Sequence, residues 1–203
     1  VATALIKWLA QGIRGLDMRI AIIGWGSLIW NPQQLVVKGA FEIGGPPLPI
    51  EFTRVSGNGR LTLVIDERCG TACPTSYAVS GFEGLEEARE NLRIREGMIH
   101  VNGVGYVDLR TGEVSARAKE RHPQAIPEIA SWGRQKDFDA VIWTALAPNF
   151  AEVTGRAYSI DDALSYLGGL PSEKFALAAE YIRMAPHQVQ TPFRAAFSGM
   201  WPE

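Results

Sequence analysis

Met18-Arg19-Ile20-Ala21-Ile22-Ile23-Gly24-Trp25-Gly26-Ser27-Leu28-Ile29-Trp30-Asn31-Pro32 is the stretch on which the fold turns. Its first six residues make a short apolar run of the length expected for a buried strand. Two glycines then interrupt the run, so the backbone either turns sharply or admits a close neighbour there. A dinucleotide fingerprint needs a third glycine where Ile29 stands. A nucleophile elbow needs glycines on both sides of Ser27, at the positions held by Trp25 and Ile29. Two readings remain: a nest of backbone N–H groups for an anion or carboxylate, and a tight turn that buries its tryptophans. The loop alone does not choose between them.

Outward from this stretch, Ile50 to Val55 and Arg60 to Ile65 read as extended segments divided by a turn at Ser56-Gly57-Asn58-Gly59. A Gly-Gly-Pro-Pro loop, Gly44 to Pro47, is expected before them, and Thr75 to Gly81 is a further strand. A helix is expected from about Gly84 to Glu96, followed by strands near Met98–Val101 and Val104–Leu109. Arg110-Thr111-Gly112-Glu113 reads as a turn, and Arg117 to Lys136 as a polar excursion containing proline. Asp139 to Leu146 returns as an apolar strand. Ser159 caps a helix that reaches Leu167, and a second helix from Ser172 puts Phe175, Ala178, Ala179 and Ile182 on one face. At the other end, Leu5, Ile6, Trp8, Leu9 and Ile13 have helical spacing, which makes residues 1–17 an accessory helix ahead of a single domain over 18–203. Strands crowd the middle without regular βαβ alternation. The fold class is therefore mixed α+β, with a curved or barrel-like sheet and flanking helices.

With 203 residues, 46% of them hydrophobic, the chain has material for one substantial core. Twenty basic against 22 acidic residues give a formal charge of -2, which argues against a dedicated nucleic-acid binder. Apolar runs stop well short of the roughly 20 residues of a membrane span. Cys69 and Cys73 have three residues between them, which fits neither a CxxC redox pair nor half of a zinc site, so free thiols are expected. Lys7 breaks the leading apolar stretch, and a cytoplasmic location is expected. His100, His122 and His187 lack metal-ligand spacing and read as surface or satisfied polar groups, and Asp137 and Asp139 as solvated charges.

Glu96 stands out by position. It follows Leu92 by four residues on a helix whose apolar stripe is Leu85, Ala88 and Leu92, so it points nearly along that stripe. An inward carboxylate costs several kcal/mol unless it is paired or opens into a cavity. The competing reading is a frayed helix end, with Gly97 next to it, that lets Glu96 reach solvent.

Gly24–Pro32 resembles the substrate-binding loop of the γ-glutamyl cyclotransferase superfamily, most closely its ChaC-like branch, where Tyr-Gly-Ser-Leu-Ile-Trp follows the first strand. Later segments follow in the same order. Arg60-Leu61-Thr62-Leu63-Val64 resembles the family's second strand, and Ile94-Arg95-Glu96 its Tyr-Arg-Glu motif. Val141-Ile142-Trp143-Thr144-Ala145 with Pro148-Asn149 resembles its late strand and loop, and Glu180-Tyr181-Ile182 a segment of its last helix. The resemblance spans roughly Met18 to Arg183. It implies a cyclotransferase-like barrel with Glu96 as catalytic acid/base. Trp25, Gly26, Ser27, Leu28 and Tyr181 would bind substrate, with Gly26, Ser27 and Leu28 doing so through the backbone. The implied partner is a small γ-glutamyl compound, cyclised to 5-oxoproline without cofactor or metal, and a homodimer is compatible with it. Nucleic acid and membrane are not expected partners. Trp25 stands where the family has tyrosine. Thr53 to Gly59 replaces the Asp-His-Arg-Gly-like segment of the glutathione-acting branch, so glutathione itself is left open. A noncatalytic ligand- or partner-binding module on the same fold is the alternative, and a serine hydrolase centred on Ser27 is a distant third.

Overall fold

A computed structural model describes residues 17–202; the helix expected within 1–17 lies outside the described residues. Six strands form one sheet: β1 (Ile20–Gly24), β2 (Val37–Val55), β3 (Leu61–Ile65), β4 (Thr71–Ser80), β5 (Val104–Asp108) and β6 (Ala140–Thr144), in the order β3-β2-β4-β1-β6-β5. β1 runs parallel to β6, with Ile22 opposite Ile142, and antiparallel to β4, with Ala21 opposite Val79. Every residue of β1 is buried, which explains its unbroken apolar run. The helices are α1 (Leu85–Arg95), α2 (Ala116–Arg121), α3 (Ala125–Gln135), α4 (Phe150–Thr154), α5 (Ile160–Gly168), α6 (Ser172–Met184) and α7 (Pro192–Met200).

Alternate residues of the central strands feed two cores. Ile20, Ile22, Ala140 and Ile142 meet Ala88 and Leu92 of α1 on one face. Ala21, Ile23, Val141 and Trp143 face the larger cluster, closed by α3, α5, α6 and α7 through Ile129, Leu167, Ile182 and Phe193.

The sheet is open: β3 and β5 are its two edges, and the expected closure into a barrel is not made. It is curved nonetheless, because Thr62, Leu63 and Val64 of β3 line the same cavity as Asn102 and Gly103, which lead into β5. That cavity lies at the seam between the edges.

Several expectations change. Gly44 to Pro47 is part of β2 and not a loop. Gly45 pairs with Thr75, the Pro46 carbonyl accepts from Thr75 Oγ1 at 2.7 Å, and register shifts flank Gly45. Bulges let the strand carry prolines that cannot donate to the ladder. Met98 to His100 is not a strand; it bends into a short 3₁₀ turn at Val101–Gly103 and leaves Ile99 86% exposed. The excursion over 117–136 is two helices, α2 and α3, the first capped by Ser115 Oγ accepting from the Ala118 N–H at 3.2 Å. Pro127 sits in the first turn of α3, where it breaks no helical hydrogen bond. α4 and α7 were not anticipated. Thr191 caps α7, and Pro192 starts it.

Smaller points concern single residues. His122 is fully buried; its Nδ1 accepts from Trp143 Nε1 at 3.1 Å, and burial, with Arg121 adding to it, pushes its pKa down to about 4. Asp139 accepts from the Arg19 N–H at 2.7 Å, so it is a tether and not merely a solvated charge. Cys69 and Cys73 are free thiols. Among the described residues no helix is long and apolar enough to cross a membrane.

Candidate functional site

The segments after β1 and β6 leave from neighbouring parallel strands in the same direction. A crevice at the carboxyl ends of such strands is a common place for a ligand. Here the β1 side supplies Trp25 to Trp30, and the β6 side begins at Thr144.

The β1 loop is a compact turn in which Ile29 N–H donates to Gly26 O at 3.0 Å and Asn31 N–H to Ser27 O at 2.9 Å. Gly26 is small for a reason. A Cβ there would come within 2.9 Å of the Tyr181 hydroxyl, which α6 presses against the loop backbone. Trp25 is buried, and its Nε1 donates to Leu63 O at 3.3 Å, tying the loop to β3. The Leu28 side chain packs into the smaller core, leaving its backbone toward the site. The N–H groups of Gly26, Ser27 and Leu28 donate to no other group among the described residues. Of the two readings of this loop, a nest of free donors is therefore available.

Glu96 arrives from the other side as the C-cap of α1. The helix end is not frayed. Gly97 takes φ 63°, its N–H donates to Ile94 O at 3.0 Å, and Met98 N–H reaches back to Arg93 O at 3.1 Å. These two bonds make a Schellman closure, and Met98 packs on the core cluster that holds Leu92. The Glu96 side chain is 18% exposed, and Arg95 Nη1 lies 2.7 Å from its Oε1. Burial pushes the Glu96 carboxyl above the usual carboxylate range, with the Arg95 charge and hydrogen bond pulling the other way. Arg95 also donates through Nη2 to Ser27 Oγ at 3.1 Å and to Asn31 O at 2.7 Å. One guanidinium thus joins the carboxylate to the loop.

Trp25, Gly26, Ser27, Leu28, Glu96 and Tyr181 all line one chamber of about 40 Å³, so the six residues singled out from the sequence converge. The Tyr181 ring meets Trp30 and Phe52 edge-on, at 5.6 and 6.3 Å between centroids. Burial, more than the nearby Glu96 charge, pushes its hydroxyl up to about 12, so it is a neutral donor at pH 7. The chamber opens into the seam cavity of about 640 Å³, with which it shares Ser27, Leu63, Glu96, Thr144 and Tyr181.

Two kinds of residue escaped the sequence. Thr144 lines both spaces, and its Oγ1 is enclosed with no partner among the described residues. It is the polar last residue of an otherwise apolar strand, which was the available signal. Arginines 54, 60, 95, 117 and 121 line the larger cavity. They come from β2, the turn before β3, α1 and α2, and no linear pattern gathers them. Among the described residues no cluster of His, Cys, Asp and Glu is arranged to hold a metal.

No protein-family model, curated protein or solved structure matches this chain. The site's chemistry has to be read from its own groups. It offers a carboxyl with a raised pKa, a loop with free backbone donors, and a threonine and a tyrosine hydroxyl around one enclosure.

Proposed function

We propose that the protein is a γ-glutamyl cyclotransferase-like enzyme that converts a γ-glutamyl compound to 5-oxoproline and releases an amine, with Glu96 as general acid/base. The observation that carries this reading is the enclosure of Glu96 in one chamber with Gly26, Ser27 and Leu28, whose N–H groups are free among the described residues. The reaction needs no enzyme nucleophile. The substrate's own α-amine attacks its γ-carbonyl, a C–N bond closes the five-membered lactam, and the bond to the leaving nitrogen breaks. One proton must leave the attacking amine and one must reach the departing nitrogen. A single carboxylate between them serves both transfers, a role worth about 10²- to 10⁴-fold.

Holding a flexible glutamyl chain in its folded, reactive shape supplies more, up to about 7–11 kcal/mol in favourable intramolecular systems. The loop donors suit either the α-carboxylate or the oxyanion that develops on the γ-carbonyl. The Thr144 and Tyr181 hydroxyls add directional hydrogen bonds in the same chamber. On this reading the fold is a cyclotransferase-like barrel left open between β3 and β5. The unpaired thiols of Cys69 and Cys73 agree with a reducing compartment such as the cytoplasm.

The test is direct: purified protein is incubated with γ-glutamyl dipeptides, γ-glutamyl amines and glutathione, and 5-oxoproline is measured. Its release from at least one of them is expected. A folded protein that binds these compounds without releasing 5-oxoproline would instead be the noncatalytic module.

A further inference from the structure

The seam cavity is unusually one-sided in charge. Five arginines line it, and Glu96 is the one carboxylate among the residues that do. Arg95 is matched by Glu96, and Arg117 pairs with Glu120 at 3.0 Å. Arg54, Arg60 and Arg121 have no ion-pair partner among the described residues, although Arg54 feels the more distant charge of Glu152, and Arg121 those of Glu120 and Glu152. Arg54 donates to Ala147 O and Arg121 to Ala145 O, each at 2.7 Å, so both are anchored on the backbone just after β6. A guanidinium carries five N–H donors, and most of those on Arg54 and Arg121 have no acceptor among the described residues.

Such an arrangement costs stability by itself. Burial is the main influence opposing the charge on Arg54 and Arg121, and Arg117 and Arg54 both press on Arg121 in the same direction. Half-buried cations with no carboxylate in direct contact are retained where an anion completes them. Their place relative to Glu96 tells which part of the ligand that is. Arg54, Arg117 and Arg121 line the large cavity and not the small chamber that Gly26, Ser27 and Leu28 line, and Glu96 borders both spaces.

Resting on the cyclotransferase reading, we infer that the leaving half of the substrate is a dianion: an amine carrying either two carboxylates or a phosphate, seated on Arg54, Arg60 and Arg121. The covalent step is unchanged: the α-amine bonds to the γ-carbon, the leaving nitrogen departs with one proton, and the dianion stays intact.

The experiment compares γ-glutamyl-glutamate, the γ-glutamyl amide of 2-aminoethyl phosphate, γ-glutamyl-alanine and γ-glutamyl-lysine, which differ in the charge of the leaving half. Two readouts are taken: 5-oxoproline release, and calorimetric binding to the Glu96→Gln protein. At least one dianionic compound should exceed the lysine compound by about tenfold or more in both kcat/KM and affinity. Which of the two leads separates dicarboxylate from phosphate. Raising salt should erode the preference, and in Arg54→Gln/Arg121→Gln it should shrink to within about threefold. The salt series needs no variant, so it decides even if the double variant misfolds. Equal or stronger binding of the lysine compound, or a dianion preference indifferent to salt, overturns the inference. Dianion-selective binding with no 5-oxoproline from any compound overturns the cyclotransferase reading and leaves the anion site standing.

Discussion

A carboxyl group enclosed as Glu96 is must lose its proton before it can take one from an amine. Because burial lifts its folded pKa above the usual carboxylate range, kcat/KM should rise with pH across a range higher than an ordinary carboxylate would give. The same shift has a sign for stability. The folded state holds this proton more tightly than the unfolded state, so the contribution is complete below about 4.5 and is lost as pH climbs through the folded value. Glu96→Gln should lower kcat by about 10²- to 10⁴-fold and remove the acidic limb of the rate profile. Its circular dichroism should match the parent; unchanged turnover would relieve Glu96 of its role. Gly26→Ala poses a steric question, since its Cβ would meet the Tyr181 hydroxyl at 2.9 Å. KM should rise by about tenfold, roughly 1.4 kcal/mol of lost binding. Because Tyr181→Phe removes the clashing oxygen, the Gly26→Ala/Tyr181→Phe pair should lose less than the two single changes added together, measured as a double-mutant cycle.

At the scale of the element, the C-terminus of α1 aims the carboxylate. Gly97→Ala puts a side chain at φ 63°, which should cost about 1 kcal/mol and about 2–4 °C in Tm. Turnover should fall as well, because the Schellman closure sets the direction of Glu96. Ser159→Ala is the matching control. Ser159 caps α5 by accepting from the Asp162 N–H at 3.0 Å, away from both cavities, so a similar stability loss of about 1 kcal/mol should leave turnover unchanged. These elements also differ in how legible they were. β1, α1, α5 and α6 follow from local signals: an apolar run, a stripe, a capping serine, a one-sided face. α2 and α3 were hidden because their inward residues are interspersed with charge and Pro127 reads as a breaker when its helical position is unknown. The Gly44–Pro47 stretch was hidden because bulged pairing with β4 overrides the turn chemistry of its residues. Glu96 was reachable from one helix face and the Trp25–Leu28 loop from its glycines, whereas Tyr181 entered only through the resemblance of Glu180-Tyr181-Ile182. Thr144 and the arginines were out of reach, since the strand order decides who stands beside them.

For the whole molecule, the seam is the organising feature. One edge of the sheet supplies Thr62 to Val64, the other Asn102 and Gly103, and a ligand between them touches both. A ligand at one hundred times its Kd should raise unfolding free energy by about 2.7 kcal/mol. Amide exchange should slow together at β3 and at residues 102–103. Protection confined to one edge would place the ligand elsewhere.

The seam is lined by stretches as far apart in the chain as Ser27 and Tyr181, and this bears on the order of events in folding. Contacts between such distant segments close late, after the sheet has paid its loop entropy. The pocket therefore does not exist in a half-formed sheet, and a ligand has nothing to hold until the last edge is in place. Saturating ligand should leave the refolding rate where it was and express its whole effect as slower unfolding: occupancy acts as a latch on a finished structure, never as a template for an unfinished one.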